Sequence, residues 1–180
     1  MPRLKPVDIE KADDKTKELL EQVKGKFGRV PNILATMANA PAALEAYMKF
    51  SGALGNGSLN PKLREKLALA VGELNQCHYC LAAHTALGQN VGLSEQEIME
   101  SRQINADDEN ERIALKFAET MIVKRGWVED EDVAKLRDAG FDEEEIVEII
   151  FVVFQNIMTN FFNHIARIPI DFPEAQPLKQ

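Results

Sequence analysis

Apolar residues recur at intervals of three and four positions along almost the whole chain, and this spacing constrains the fold most strongly. The segment 61–74 is one example, with apolar residues at Leu63, Leu67, Ala70, Val71 and Leu74. Such spacing places apolar side chains on one face of an α-helix. The apolar–polar alternation that is typical of half-buried strands is nearly absent. The sequence therefore predicts an all-α fold.

Capping and breaking residues divide this pattern into separate helices. Pro41 and Pro61 fit the first turns of helices, and Ser94 with Glu97 fits a capping box. The predicted helices cover residues 13–27, 32–39, 41–54, 61–74, 78–90, 94 onward, 107–124, 129–139 and 142–161. At 180 residues a single domain is the default. We expect one domain over 1–180, with an N-terminal helical segment at 1–40 and an extended tail at 169–180.

The charge balance and the hydropathy of the chain argue against several functional classes. The 29 acidic residues outnumber the 21 basic ones, which gives a formal net charge of −8, and no basic run offers a site for a phosphate backbone. The most apolar stretch, 146–154, is much shorter than the roughly 20 residues that a transmembrane helix needs. The N-terminus lacks the apolar core of a secretory signal. We therefore expect a cytoplasmic protein that binds neither nucleic acid nor a membrane.

The chain has two cysteines, which lie three residues apart at Cys77 and Cys80. On a helix that begins near residue 77, Cys77, Cys80 and His84 share one face. The imidazole of His84 can then approach the Cys80 sulfur, and Cys77 meets the positive end of the helix dipole. Both influences favour the thiolate, which is the reactive form. The two sulfurs can also form a disulfide, so a sulfenic acid on one cysteine can be resolved by the other.

A carboxylate that orients His84 would complete this group, and the sequence offers Glu65 and Glu73. In an unbroken helix, Glu65 would lie about 18 Å from Cys77, which is too far. Glu65 can take part only if the chain reverses near residues 75–76, so that the helices on either side form an antiparallel pair. Glu73 needs no such reversal, but it also fits a solvated position near a helix end.

Other interpretations of the cysteines stay open at this point. Buried cysteines commonly act as small apolar residues. Cys77, His78, Cys80 and His84 also offer a zinc ligand set, although four ligands within eight residues surround a tetrahedral metal poorly. A thioredoxin-like interpretation of the Cys-x-x-Cys pair requires a βαβ context, which an all-α chain lacks.

Arg64-Glu65, followed by Cys77-x-x-Cys80 and His84, resembles the core motif of the AhpD-like alkylhydroperoxidases. These proteins belong to the carboxymuconolactone decarboxylase superfamily, which is all-α and oligomeric. The resemblance is strongest over residues 60–125, and the whole chain is similar to the peroxidase-related branch. It implies a single-domain AhpD-like helical bundle with the Cys-x-x-Cys motif at the start of a helix.

The resemblance also implies a role for each motif residue. Cys80 would attack the peroxide, Cys77 would resolve the resulting sulfenic acid, and Glu65 with His84 would form the proton relay that deprotonates Cys80. No bound cofactor is implied. The disulfide would instead be reduced by an external dithiol, either a small molecule or a protein such as one that bears a lipoyl group. A homo-oligomer is expected, as a dimer, a trimer or a hexamer.

One departure from the family pattern concerns the residue before Cys80. Well-studied alkylhydroperoxidases carry a second histidine at this position, where this chain has Tyr79. His78 lies one residue earlier, about 100° away around the helix. Tyr79 can donate a hydrogen bond but is not a base near neutral pH. Tyr79, His78 and Glu73 are therefore supporting candidates rather than members of the core motif.

These residues together predict an antioxidant, thiol-dependent hydroperoxidase or, more generally, a thiol–disulfide oxidoreductase. Two alternatives belong to other functional classes. A lyase of the carboxymuconolactone decarboxylase type would act on a lactone acid and would leave the cysteines idle. A non-enzymatic oligomer would sense oxidants through the disulfide without steady-state turnover.

Overall fold

In the computed structural model, every regular element within the described residues, 1–178, is helical. A 3-10 turn at Ile9–Lys11 precedes the α-helices. These helices are α1 (Asp14–Phe27), α2 (Asn32–Met37), α3 (Pro41–Gly55), α4 (Pro61–Leu74), α5 (His78–Asn90), α6 (Glu95–Arg102), α7 (Glu109–Val123), α8 (Asp130–Asp138) and α9 (Glu143–Ala166). The predicted all-α fold is confirmed.

Local sequence explains where these helices begin and end. Asp13 accepts a hydrogen bond from the Thr16 N–H at 2.8 Å and thereby caps α1, and capping boxes begin α6 and α9. Pro41 and Pro61 occupy the first turns of α3 and α4, where a missing N–H costs no intrahelical hydrogen bond. Gly28 ends α1 with a φ of 72°, a left-handed conformation that glycine adopts without a steric penalty.

Helix α4 forms the centre of the bundle, because it packs against α5, α6, α7 and α9. All its residues from Lys66 to Gly72 are buried, so this part of the helix is surrounded on every side. Leu67 is fully buried, and burial of such a side chain stabilises the fold by about 1.5–3 kcal/mol. At Gly72, an added Cβ would lie 3.3 Å from Leu81 on α5, so glycine permits the close approach of these two helices.

A buried lysine also connects α4 to its neighbours. The Nζ atom of Lys66 lies 2.5 Å from Glu111 Oε2 on α7 and 3.2 Å from Glu97 Oε1 on α6. Hydrogen bonds from the Ser94 backbone and side chain, together with the Lys66 ammonium, lower the pKa of Glu97 to about 2. The buried charge of Lys66 is therefore paired with two carboxylates.

Helix α9 is long and apolar on two faces. Its inner face joins the main core, while its outer face exposes a row of apolar side chains at Val147, Phe151, Phe154, Met158, Phe161 and Ile165. Within residues 1–178, this is the one helix that could cross a membrane by length and composition. The sequence argument considered the shorter stretch 146–154, but the helix has 24 residues. The core helix of a soluble protein can have the same length and apolar composition.

The segment after α9 has no regular secondary structure through residue 178. Asp171 Oδ2 lies 2.6 Å from Arg29 Nη1 and so attaches this tail to the turn that follows α1. The ring of Phe172 packs edge-on against Tyr79 of α5, with the ring centroids 5.8 Å apart. The last two residues of the predicted tail, 179 and 180, lie outside the described residues.

Candidate active site

The chain reverses direction between α4 and α5. Helix α4 ends at Leu74, and Gln76 adopts a left-handed conformation with a φ of 54°. The Cys77 N–H then donates a hydrogen bond to the Gly72 carbonyl at 2.8 Å, which closes the turn. Position 72 lies beside position 81, and position 65 lies beside position 84. Helices α4 and α5 are therefore antiparallel, the arrangement that Glu65 requires to reach the cysteines.

Cys77 and Cys80 lie at the start of α5 and are joined by a disulfide. Cys77 is the N-cap residue, and its Sγ accepts a hydrogen bond from the Cys80 N–H at 3.3 Å. The two Cα atoms are 5.2 Å apart, within the usual range for a disulfide. Cys77 is 1% exposed and Cys80 is 3% exposed. A reagent must therefore enter the protein to reach either sulfur.

Two asparagine side chains of α9 contact the Cys80 sulfur. The Nδ2 atom of Asn160 donates to Cys80 Sγ at 2.9 Å, and that of Asn163 donates at 3.2 Å. Asn75 donates in turn to Asn160 Oδ1 at 2.9 Å, which fixes the orientation of that amide. Within residues 1–178, these are the side-chain hydrogen bonds to Cys80 Sγ, and none comes from His84.

Sequence reasoning missed the two asparagines. A signal was present, because Asn160 and Asn163 lie three residues apart within an otherwise apolar helix. Spacing of three places them on one face, and buried amides need hydrogen-bond partners. Nothing in the sequence indicates that the partner is a sulfur some 80 residues away.

Glu65 and His84 meet across the antiparallel pair of helices. His84 Nδ1 lies 2.8 Å from Glu65 Oε2, and about a fifth of each side chain is exposed, 19% for Glu65 and 21% for His84. A carboxylate at Nδ1 favours the tautomer with hydrogen on that nitrogen and leaves Nε2 as the basic nitrogen. The pair can therefore accept or supply a proton at Nε2.

Glu73, the other candidate carboxylate, lies in different surroundings. Its Oε2 accepts a hydrogen bond from Arg102 Nε at 2.7 Å, and the Arg102 side chain is 4% exposed. A buried guanidinium requires a carboxylate partner, so this contact stabilises the packing of α6 on α4. The carboxylate bonded to His84 is thus Glu65 rather than Glu73.

The two remaining candidates differ in burial. His78 is exposed in the first turn of α5. Tyr79 is buried, and its hydroxyl accepts a hydrogen bond from the Ile33 N–H at 3.3 Å. Burial raises the pKa of Tyr79 far above its ordinary value, and the nearby Asp171 adds to this effect. Tyr79 is therefore a neutral packing and hydrogen-bonding residue at neutral pH.

A cavity of about 280 Å³ opens beside the cysteine site. Cys80, Glu65 and His84 line it, whereas Cys77 is not among its lining residues within the described chain. Most of the remaining wall is apolar, with Phe27, Leu34, Leu54, Leu87, Val152 and Phe172. A small organic molecule in this cavity would contact Cys80 and the Glu65–His84 pair together.

Tyr47 supplies a polar group to the cavity wall. Burial raises the pKa of its hydroxyl, the Gln155 and Ser51 side chains partly offset this, and the charge of Glu65 raises the pKa further. Tyr47 therefore remains neutral and offers a hydroxyl near the Glu65 carboxylate.

The zinc interpretation requires at least three ligands in one place. Across residues 1–178, no group of three or more His, Cys, Asp or Glu side chains has an arrangement that could hold a metal ion. The four residues of the proposed zinc set are dispersed instead: both sulfurs are in the disulfide, His84 contacts Glu65, and His78 is exposed.

Comparison with known proteins finds a described family that is similar to the part of the chain around this site. The model of the carboxymuconolactone decarboxylase family matches residues 41–120. This range contains Glu65, both cysteines and His84, while the asparagines of α9 lie outside it.

Individual relatives extend the likeness to most of the chain. The uncharacterized protein YdfG from Bacillus subtilis (strain 168) is 27% identical over 131 residues, which are 71% of this chain and 86% of YdfG. An uncharacterized peroxidase-related protein from Silicibacter sp. TM1040 has 29% identity and a TM-score of 0.80, covering 92% of this chain and 91% of that chain. The alkylhydroperoxidase AhpD core of an uncharacterized peroxidase-related protein from Ralstonia eutropha JMP134 has 25% identity and a TM-score of 0.82, covering 94% and 92%. The chain therefore has an AhpD-like fold, and its residues 41–120 are similar to the carboxymuconolactone decarboxylase family.

Proposed function

We propose that this protein is a thiol-dependent hydroperoxidase that reduces organic hydroperoxides with Cys77 and Cys80. The AhpD-like fold and the Cys-x-x-Cys disulfide support a thiol-based, peroxidase-related function. The observation that carries the more specific proposal is the shared cavity, because Cys80 and the Glu65–His84 pair line the same space.

In the proposed cycle, the reduced pair first removes one oxygen atom from the substrate. His84 accepts the proton of Cys80, directly or through a water molecule, and Glu65 stabilises the resulting imidazolium. The Cys80 thiolate attacks the terminal oxygen of the hydroperoxide, the O–O bond breaks, and the alkoxide leaves with the electron pair. Proton transfer from His84 to the alkoxide yields an alcohol, and Cys80 becomes a sulfenic acid.

The second half of the cycle restores the disulfide and then the dithiol. The Cys77 thiolate attacks the Cys80 sulfur, the S–O bond breaks, and hydroxide leaves and takes up a proton to form water. The N-terminus of α5 supports this step, since unsatisfied N–H groups favour a thiolate at the N-cap position. An external dithiol then reduces the disulfide by thiol–disulfide exchange. The net reaction converts a hydroperoxide and a dithiol into an alcohol, water and a disulfide.

The shape of the cavity supports an organic substrate rather than hydrogen peroxide. Its wall is mainly apolar, and Cys80, Glu65 and His84 line the same space. An alkyl or aryl group can bury apolar surface against this wall while the peroxide end reaches the sulfur. Hydrogen peroxide has no such group and gains nothing from the wall.

We also propose the setting in which this cycle runs. The reductant is a small dithiol or a dithiol-bearing protein, such as one with a lipoyl group, and the cycle needs no bound cofactor. The protein is cytoplasmic and forms a homo-oligomer, either a dimer, a trimer or a hexamer. The exposed apolar row of α9 supports association, because monomeric soluble proteins rarely expose large contiguous apolar patches.

Steady-state consumption of cumene hydroperoxide with dihydrolipoamide tests the proposal. We expect Cys80→Ser to abolish consumption and Cys77→Ser to permit at most one oxidation event per chain. His84→Ala should slow the reaction strongly, whereas its matched control His78→Ala, in an exposed position outside the cavity, should not.

Other outcomes would reject the proposal. Equal peroxide consumption by Cys80→Ser and the unaltered protein would remove Cys80 from the reaction. Turnover of a lactone acid that survives thiol alkylation would indicate the lyase alternative. Stoichiometric oxidation with a change in assembly, but without turnover, would indicate the oxidant sensor.

A further inference from the structure

The Cys80 sulfur lies in a site that the proposed cycle does not yet explain. Asn160 and Asn163 both direct an amide N–H₂ at Sγ, at 2.9 Å and 3.2 Å. Asn160 is fully buried and Asn163 is 5% exposed, so water cannot compete freely for these donors. Two buried amides therefore converge on one sulfur atom.

The strength of these hydrogen bonds depends on the oxidation and protonation state of the sulfur. A thiol or a disulfide sulfur is a weak acceptor. A thiolate carries a full negative charge, and hydrogen bonds to a charged group are roughly twice as strong as neutral ones. Buried donors directed at Sγ thus favour the thiolate over every neutral state of Cys80.

The orientation of the Asn160 amide is fixed before any charge develops. Asn75, in the turn that precedes Cys77, donates to Asn160 Oδ1 at 2.9 Å. This contact leaves the Asn160 Nδ2 group for the sulfur. A donor held in place in this way needs no reorganisation when the thiolate forms.

Asn163 provides a second and independent indication. Its Oδ1 is buried and has no hydrogen-bond partner among the described residues, which is costly for the folded state. The contact that its side chain does make is to Cys80. By contrast, Asn156 on the same helix donates to the Val152 carbonyl of its own helix at 2.9 Å, as a structural asparagine does.

We propose that Asn160 and Asn163 form a two-donor thiolate site that lowers the pKa of Cys80 and stabilises the reduced form of the Cys77–Cys80 pair. The inference rests on the proposed function, in which Cys80 is the attacking sulfur. The site supplies the stabilisation of the thiolate, while the Glu65–His84 pair moves the proton. The thiolate site also explains how Cys80 can be reactive although, within residues 1–178, His84 makes no hydrogen bond to its sulfur.

The same site acts on reduction of the disulfide. An external dithiol reduces the pair through a mixed disulfide, which its second thiol then breaks, so that the reductant becomes the disulfide and Cys80 is released as a thiolate. Stabilisation of that thiolate makes the disulfide more oxidising. The two asparagines should therefore shift both the pKa of Cys80 and the reduction potential of the pair.

The pKa is measured in the Cys77→Ser background, where Cys80 is the only thiol. The ultraviolet absorbance of the thiolate, followed against pH, needs no reagent to enter the cavity. We expect Asn160→Ala and Asn163→Ala each to raise the pKa of Cys80 by about one unit. Asn156→Ala is the matched control from the same helix face, and we expect it to leave this pKa unchanged.

The reduction potential is measured in the chain with both cysteines, by equilibration with a dithiol redox buffer. At a pH where Cys80 is ionised in every reduced form, a tenfold loss of thiolate stabilisation should make the potential about 30 mV more negative. We expect this shift for Asn163→Ala, a variant that keeps the Asn75–Asn160 contact. Asn163→Ala therefore still tests the inference if Asn160→Ala fails to fold.

The outcomes separate this inference from the proposed function. An unchanged Cys80 pKa and potential in folded Asn160→Ala and Asn163→Ala proteins would overturn the thiolate site, even if peroxide turnover is observed. An equal shift in Asn156→Ala would overturn it too, since the effect would then reflect general disturbance of α9. Shifts as expected in a protein that never consumes peroxide would retain the thiolate site and reject the hydroperoxidase proposal.

Discussion

Replacement of Glu65 by glutamine tests how the proton reaches and leaves the site. The substitution keeps the size of the side chain but removes the charge that lies 2.8 Å from His84 Nδ1. A hydrogen bond to a charged group contributes about 1.5–3 kcal/mol, and partial exposure of both side chains favours the lower part of this range. If the imidazolium forms in the transition state, a loss of about 1.5–2 kcal/mol reduces kcat/KM by roughly 10–30-fold.

The assay is the rate of Cys80 oxidation by an organic hydroperoxide, followed in a single turnover so that reductant steps do not contribute. Glu73→Gln is the matched control, because Glu73 bonds to Arg102 and not to His84. We expect Glu73→Gln to oxidise at the rate of the unaltered protein, although it should unfold at a lower temperature. An unchanged rate in Glu65→Gln, or an equal loss in both variants, would refute the relay.

Three further predictions concern stability and access. The pKa of Glu97 is about 2 in the folded protein, below its ordinary value of 4.5. The contribution of Glu97 to stability is therefore complete above pH 4.5 and is lost as the pH falls towards 2. Over this range, the unfolding free energy of the unaltered protein should decline more steeply than that of Glu97→Gln. Leu67→Ala, in the centre of α4, should lower the unfolding free energy by about 2–5 kcal/mol in denaturant titrations. Removal of residues 171–180 takes Phe172 away from the cluster around the cysteines, and reduction of the disulfide by a small dithiol should become faster in a thiol-release assay.

The contrast between Glu65 and Glu73 shows where sequence reasoning stops. Both carboxylates fit the pattern, and Glu73 is closer to the cysteines along the chain. The choice depends on the turn at Gln76, which makes α4 and α5 antiparallel, and on Arg102, which binds Glu73 from α6. Only the packing of three helices decides which carboxylate contacts His84.

Local features of this protein could be predicted from the sequence alone. Helix ends depend on residues a few positions apart, such as Pro61 at the start of α4 or the capping box of Ser94 with Glu97. The start of α5 at Cys77 is of the same kind. Spacings of three and four along one helix then place Cys77, Cys80 and His84 on a common face.

The surroundings of Cys80 were decided by the tertiary structure. Asn160 and Asn163 are separated from this sulfur by 80 and 83 residues, and their contact exists only because α9 packs against α5. Because α9 is apolar on two faces, its periodicity decides neither which face is buried nor which atoms that face meets. Helix capping is a local interaction that a short segment specifies, whereas the hydrogen bonding and charge around a buried sulfur depend on every helix that packs against it.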